Sequence, residues 1–353
     1  FSETNIPDNR VRLAWQSMNR CAGIPSNSTA CKSKNSMKPL SGEHRTNFIS
    51  WVNGLTASGW TPSFPLVRGV GEYLRKTGPD SAWNKNPGTS DEEPIACRKA
   101  YHIFMTDGEW NGTNGSVAGA DGDRRTLSRI LRSDSANLDG TLTSLPDGKT
   151  YDPSSDQTRV YRDSSGFKDI IASRRTRANK NNSWESWTNY TDPDGMNTLA
   201  DLAFYDWSSD LQPGIPNKMT PVINKSGVES FGTGSLKMDL QEYWNPKNNP
   251  ATWQNLVTYA IGFKGADKLT RPTDSAPEFD NTAVIDEATH VGEFGKLVTG
   301  EKFWPTPFCG TNGDKPCETQ TKTNTLEENN FNSPSDRDAY NDTIISRGRM
   351  YEL

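Results

Sequence analysis

Nowhere does the chain carry the roughly 20 consecutive apolar residues of a membrane-spanning helix, so no segment reads as one. Apolar residues are scarce altogether: 32% of the 353 residues are hydrophobic, and the mean hydropathy is -0.81. That is too little to fill two cores of ordinary proportions, and one core with long polar insertions suits the length better. Basic charge is not in excess either. The net charge of -5 and pI near 5.4 argue against nonspecific nucleic-acid binding, because phosphate neutralisation needs a basic field. Histidine is limited to His44, His102 and His290, in unrelated contexts, and there is no G-x-S-x-G, no H-E-x-x-H and no phosphate-binding glycine loop. Catalysis therefore finds little footing, and His102 reads as a hydrogen-bonded core residue rather than a base.

Five cysteines are present. Cys21 and Cys31 lie in a loop rich in Ser, Pro, Asn and Gly, and Cys309 and Cys317 in the turn-rich FCGTNGDKPC. Each pair would close a short loop with little core of its own, the use exported proteins make of disulfides. Zinc is the rival, but no C-x-x-C spacing or nearby histidine supports it. Cys97 is left over, as a buried thiol beside the central strand or as a partner for a residue outside the chain.

The chain is organised around Tyr101 to Asn111, YHIFMTDGEWN. Ile103, Phe104 and Met105 run into Thr106, Asp107 and Gly108, which reads as a buried strand ending in a turn that presents a carboxylate at a sheet edge. Upstream, Thr61 is placed as a helix N-cap with Pro62 at the first helical position. Phe64, Val67, Val70 and Leu74 then repeat at helical spacing before Gly78 stops the helix. A hydroxyl at Thr61 and a carboxylate at Asp107 are both hard oxygen ligands of the kind Mg²⁺ or Ca²⁺ accepts.

Around these pieces, Val11, Leu13 and Trp15 alternate as a strand, and His44 to Leu55 forms a helix with Phe48, Trp51, Val52 and Leu55 on one face. Thr77 to Pro94 reads as a linker. Asn197 caps a helix with Leu199, Leu202 and Ala203 on one face, and Leu256 to Phe263 is a second strand with Trp253 near its start. Helices alternating with strands predict an α/β fold with parallel pairing. Residues 109–195 and 264–336 interrupt it as two insertions. Within the first, Leu127, Ile130 and Leu131, and then Phe167, Ile170 and Ile171, are expected to form short helices; the second contains a helix near Glu287 to Val298. The first insertion also holds a basic cluster with Arg174 and Arg175 and an aromatic one with Trp184 and Trp187. Interleaved basic and aromatic residues can bind sugars or single strands. The plainer reading is a solvated helix end and aromatics that pack the insertion onto the body.

The Thr-Pro loop opening a helix, followed by a strand ending in T-D-G, resembles the second and third metal-binding loops of a von Willebrand factor A domain. CRKAYHIFMTDGEWNG (97–112), NTLADLAFYDWSSDLQP (197–213) and NPATWQNLVTYAIGF (249–263), with RLAWQSMNRC near the start and SRGRMYEL at the end, are similar to the N-terminal region of the PilC/PilY family of type IV pilus tip adhesins. The resemblance implies a single von Willebrand factor A-like (Rossmann-like) domain over residues 1–353: a mostly parallel sheet flanked by helices, with the two polar insertions. It implies an exported protein that passes the periplasm to the cell surface at the pilus tip. Minor pilins and a host-cell or surface receptor would be its partners, and nucleic acid would not. It also assigns Thr61 to the second metal loop and Asp107 as a direct or water-mediated ligand of Mg²⁺ or Ca²⁺. The D-x-S-x-S loop that completes such a site is absent; Asp152 to Asp156 and Asp206 to Asp210 match it only in part. That absence predicts a first strand and metal loop upstream of Phe1 and an incomplete metal site in this chain, and the strand-like RGRMYEL before Leu353 leads to the expectation of a closing helix beyond it. Two other function classes stay open: a secreted glycan- or matrix-binding module using the insertion's Trp184 and Trp187, and a metal-assisted hydrolase built on Asp107.

Overall fold

The computed structural model of the chain describes residues 1–17, 21, 23–26, 31, 34–56, 63–89, 93–106, 140–161, 174–177, 184–188, 199–262 and 293–300. In chain order these form β1 (Arg12–Leu13), β2 (Lys38–Pro39), α1 (Gly42–Asn53), α2 (Ser63–Leu74), β3 (Ala100–Thr106), β4 (Thr143–Ser144) and β5 (Thr150–Tyr151). A 3-10 turn over Asp156–Tyr161 follows, then β6 (Arg174–Arg177), β7 (Trp184–Thr188), α3 (Leu199–Ser208), β8 (Glu229–Phe231), β9 (Met238–Leu240), β10 (Leu256–Gly262) and α4 (Glu293–Thr299).

The centre is the parallel pair of β3 and β10, in register from Ala100 opposite Leu256 to Thr106 opposite Gly262. The other four strand pairs, β1 with β2, β4 with β5, β6 with β7 and β8 with β9, are antiparallel. Strand side chains alternate between faces, and here the alternation separates Phe104, 1% exposed, from its neighbours Ile103 and Met105, 56% and 53% exposed. Phe104 packs with Val67 of α2 and with Leu199 and Leu202 of α3, a burial that stabilises the fold by about 2–3 kcal/mol. The expected buried strand is buried at Phe104, whereas Ile103 and Met105 are exposed. Three apolar residues in a row imitate a two-faced core strand, but among the described residues only the face with Phe104 is packed against helices.

Helix α2 accommodates Pro65 because it falls in the first turn, where the backbone N–H has no intrahelical partner. At its other end the carbonyl of Leu74 accepts hydrogen bonds from Trp83 Nε1 at 2.8 Å and Gln212 Nε2 at 2.7 Å. Trp83 is almost fully buried and shares a core with Ile24, Tyr73, Leu74, Leu211 and Leu256. The stretch read as a linker therefore carries a core residue that also caps a helix. Gly71 lets α3 approach α2, since a Cβ there would collide with the carboxylate of Asp206.

Helix α1 also departs from expectation. Its buried residues are His44, Arg45 and Phe48, while Val52 and Leu55 are exposed. The reason is the N-terminal arm: Arg45 donates to the carbonyls of Phe1, Ile6 and Leu40 and to Asp8 Oδ1. Trp15 and Phe48 complete this corner with ring centroids 5.4 Å apart.

Pieces of both insertions are ordered parts of the body. Leu145, beside β4, packs with Ala251 and the fully buried Trp253, whose Nε1 donates to the carbonyl of Trp207 at 2.9 Å. Val160 of the 3-10 turn meets Phe231, Leu240, Leu297 and Val298, so α4 of the second insertion closes over the first. The short helices expected around Leu127 and Phe167 lie outside the described residues.

Candidate functional site

The carboxyl ends of β3 and β10 fall at Thr106 and Gly262, on the same edge of the pair. Position 107 follows directly, and α2 starts two residues after Thr61. Thr61 and Asp107 themselves lie outside the described residues. Ser63, the first residue of α2, is buried and its Oγ has no hydrogen-bond partner. Among the described residues, no group of three or more His, Cys, Asp and Glu is placed to hold a metal ion. Asp206, one of the partial loop matches, has a different task. It is buried and forms an ion pair with Arg75, whose Nη2 also donates to Ser209 Oγ at 2.8 Å and whose guanidinium lies 4.3 Å from the centroid of the Tyr205 ring. Asp152, of the other match, holds a turn by accepting from the backbone N–H of Ser154 at 2.8 Å.

The inner face of the parallel pair carries two polar groups that sequence reading did not put together. His102 and Thr258 are register partners. His102 Nδ1 and Thr258 Oγ1 are both buried and without a hydrogen-bond partner. Burial pushes the His102 pKa down to about 4, because no neighbouring charge offsets the lost hydration of the imidazolium. His102 is thus a core histidine as expected, but its Nδ1 is not hydrogen-bonded. The outer face presents Tyr101, Ile103, Met105, Tyr259 and Ile261 to solvent, with the two tyrosine rings 6.2 Å apart.

Cys21 and Cys31 form the predicted disulfide, with a Cα–Cα distance of 5.8 Å. Asn35 stitches the same loop, donating to the carbonyls of Trp15 at 2.7 Å and Gly23 at 2.9 Å and accepting from the N–H of Ser26 at 2.9 Å. Cys309 and Cys317 lie outside the described residues. Cys97 is a free thiol and exposed, which corrects the buried reading: it sits in the turn before β3 rather than on the strand.

Arg174 and Arg175 are on β6, and Trp184 and Trp187 on β7. Arg175 pairs with Trp187 and Arg177 with Trp184 across the antiparallel ladder. The basic cluster is therefore on a strand, not a helix end. Alternating Arg-Arg-Thr-Arg and Trp-Glu-Ser-Trp are short β-forming runs that read poorly as either element by periodicity alone.

Comparison with known proteins supplies what the partial site cannot. The type IV pilus biogenesis factor PilY1 of Pseudomonas aeruginosa strain PAK is 30% identical to this chain over 301 residues, and that of strain PAO1 is 31% identical over 305 residues. The likeness is to a type IV pilus biogenesis factor. Each match covers 85% of this chain. The similarity to PilY1 supports the PilC/PilY resemblance read from the sequence. The chain spans 20% of the length of these curated relatives. No protein-family model matches the chain, and no solved structure does. Among the described residues, no helix is long and apolar enough to cross a membrane.

Proposed function

We propose that this chain is an A-domain-like binding portion of an exported type IV pilus biogenesis factor, and that it acts by holding partners rather than by turning over a substrate. The observation that carries the proposal is the 30% identity to PilY1 over 301 residues. Two features of the fold support it. The parallel pair β3 and β10, backed by α2 and α3, ends its strands on one edge, where open α/β sheets present binding loops. The Cys21–Cys31 disulfide suits an oxidising compartment outside the cytosol. On this reading the protein reaches the cell surface at the pilus tip, with minor pilins as partners on the pilus side and a host-cell or surface receptor beyond it.

The same proposal gives Thr61 and Asp107 the role of oxygen ligands for Mg²⁺ or Ca²⁺, a hard cation that would supply an electrophilic contact for an acidic group of the partner. With no D-x-S-x-S loop in the sequence, the 353-residue chain alone is expected to bind such a cation weakly. The test is made in piliated cells carrying the full-length protein with Asp107→Asn. Attachment should fall, and its sensitivity to chelator should disappear, while pili still assemble. Attachment that stays intact and chelator-sensitive in the variant removes Asp107 from the site.

A second reading, a glycan- or matrix-binding module, draws on the β6–β7 ladder, which brings Arg175 opposite Trp187. It predicts that Trp184→Ala with Trp187→Ala abolishes binding to isolated matrix while pilus assembly survives.

A further inference from the structure

Where α3 ends, Tyr205, Ser208 and Asp210 face Ser144, Leu145 and Pro146 of the β4–β5 hairpin across a cavity of about 310 Å³. The volume sits at the low end of small-molecule sites. The lining has two characters. Leu145 and Pro146 on the hairpin side and the Tyr205 ring on the α3 side supply its apolar part. One face of that ring is already covered by the Arg75 guanidinium. The rest of the lining is hydroxyls and one carboxylate, with Ser144 on the hairpin side and Ser208, Ser209 and Asp210 on the α3 side.

The polar groups differ in how far they are committed. Ser209 Oγ, also on the lining, is spent: it accepts from Arg75 and donates to the carbonyl of Tyr205. Ser208 is 4% exposed, and its hydroxyl makes no hydrogen bond among the described residues. Ser144 is exposed and equally uncommitted. Asp210 accepts the backbone N–H of Gln212 through Oδ1 at 2.8 Å, leaving Oδ2 without a partner. Partial burial raises the Asp210 carboxyl above its ordinary pKa, and the Gln212 hydrogen bond offsets only part of that shift. Among the described residues no cationic side chain is part of the lining itself, and Arg75 stands behind it, against Tyr205 and Ser209. The carboxylate also lies at the negative end of the α3 dipole, so the site favours a ligand rich in donors.

We propose that this cavity binds a single sugar ring, its C–H face against Leu145, Pro146 and Tyr205 and its hydroxyls on Ser144, Ser208 and Asp210. A sugar hydroxyl is donor and acceptor at once, which matches amphoteric serines better than a purely donating ammonium group does. The site is separate from the sheet edge and does not depend on where the chain is displayed.

Saturation-transfer difference NMR on the 353-residue chain tests it, with glucose, galactose, mannose and N-acetylglucosamine at millimolar concentration and L-lysine as the cationic comparison. At least one sugar should receive saturation. Asp210→Asn, which keeps the shape but weakens the acceptor, should reduce its affinity about tenfold. Ser144→Phe, at an exposed position that a larger side chain can occupy without disturbing the core, should abolish the signal while the circular dichroism spectrum is unchanged. Three results overturn the proposal: no transfer to any of the four sugars, transfer that survives both variants, or transfer to lysine alone.

Discussion

Lowering the pH from about 7 to about 4 should weaken the fold through His102 in particular, and the size of the effect follows from its position. In the unfolded chain the imidazole titrates near 6.5; on the inner face of the parallel pair, burial lowers the pKa to about 4. Between those values the unfolded chain takes up a proton that the folded chain refuses. Stability is thus fully present above pH 6.5, and it falls as pH drops, by up to about 1.4 kcal/mol per pH unit. Over the whole window the loss is about 3 kcal/mol, a large fraction of a typical domain's stability. Acid also discharges carboxylates, so the measurement is a difference. Urea unfolding is followed by tryptophan fluorescence at both pH values for the wild type and for His102→Leu. Leucine fills similar space and removes the unpartnered Nδ1, so at neutral pH the variant should be at least as stable, within about 1 kcal/mol. At acid pH the wild type should have lost about 2–3 kcal/mol more than the variant. Equal losses would refute the reasoning, because they would mean that His102 is hydrated or paired when folded.

Further consequences concern packing and the exposed thiol. Phe104→Ala should cost about 3–5 kcal/mol, whereas Ile103→Ser, one residue away on the open face, should change stability by no more than about 0.5 kcal/mol; denaturant midpoints of the two variants separate the faces directly. Asp206→Ala leaves the Arg75 guanidinium without its carboxylate between α2 and α3 and is expected to cost about 3 kcal/mol. Gly71→Ala should destabilise in the same thermal melt, because its Cβ must displace that same carboxylate. Iodoacetamide applied without denaturant should modify Cys97, and peptide mapping that finds Cys97 protected would contradict its exposure.

The two central strands were legible because each is an apolar run followed closely by glycine in the sequence, and the α3 face was legible because Leu199 and Leu202 are helically spaced. Their pairing was only implied by alternation of helix and strand: it joins residues far apart in the chain, such as Phe104 and Ala260, and no local pattern encodes that register. Coverage was illegible too. A sequence of Ile-Phe-Met is compatible with a strand buried on both faces or on one, and only the positions of α2 and α3 decide it. Helix α1 shows the same limit from the polar side. Its apolar spacing pointed to Val52 and Leu55, but the buried arc is set by Arg45 gathering carbonyls from a distant arm. Trp83 was hidden by the Gly, Pro and Asn around it, which look like a linker when the tryptophan's partner, the end of α2, is not in view. Of the site, Thr61 and Asp107 came from local turn chemistry, while the His102–Thr258 pair and the cavity at the end of α3 exist only through contacts between separate segments.

Central to the proposed function is display on the pilus, and immunogold electron microscopy of intact piliated cells, with antibody raised to this chain, tests it most directly. The account predicts gold at pilus tips. Gold absent from the pili but present in the medium or on the substrate would contradict it and favour a secreted binding module.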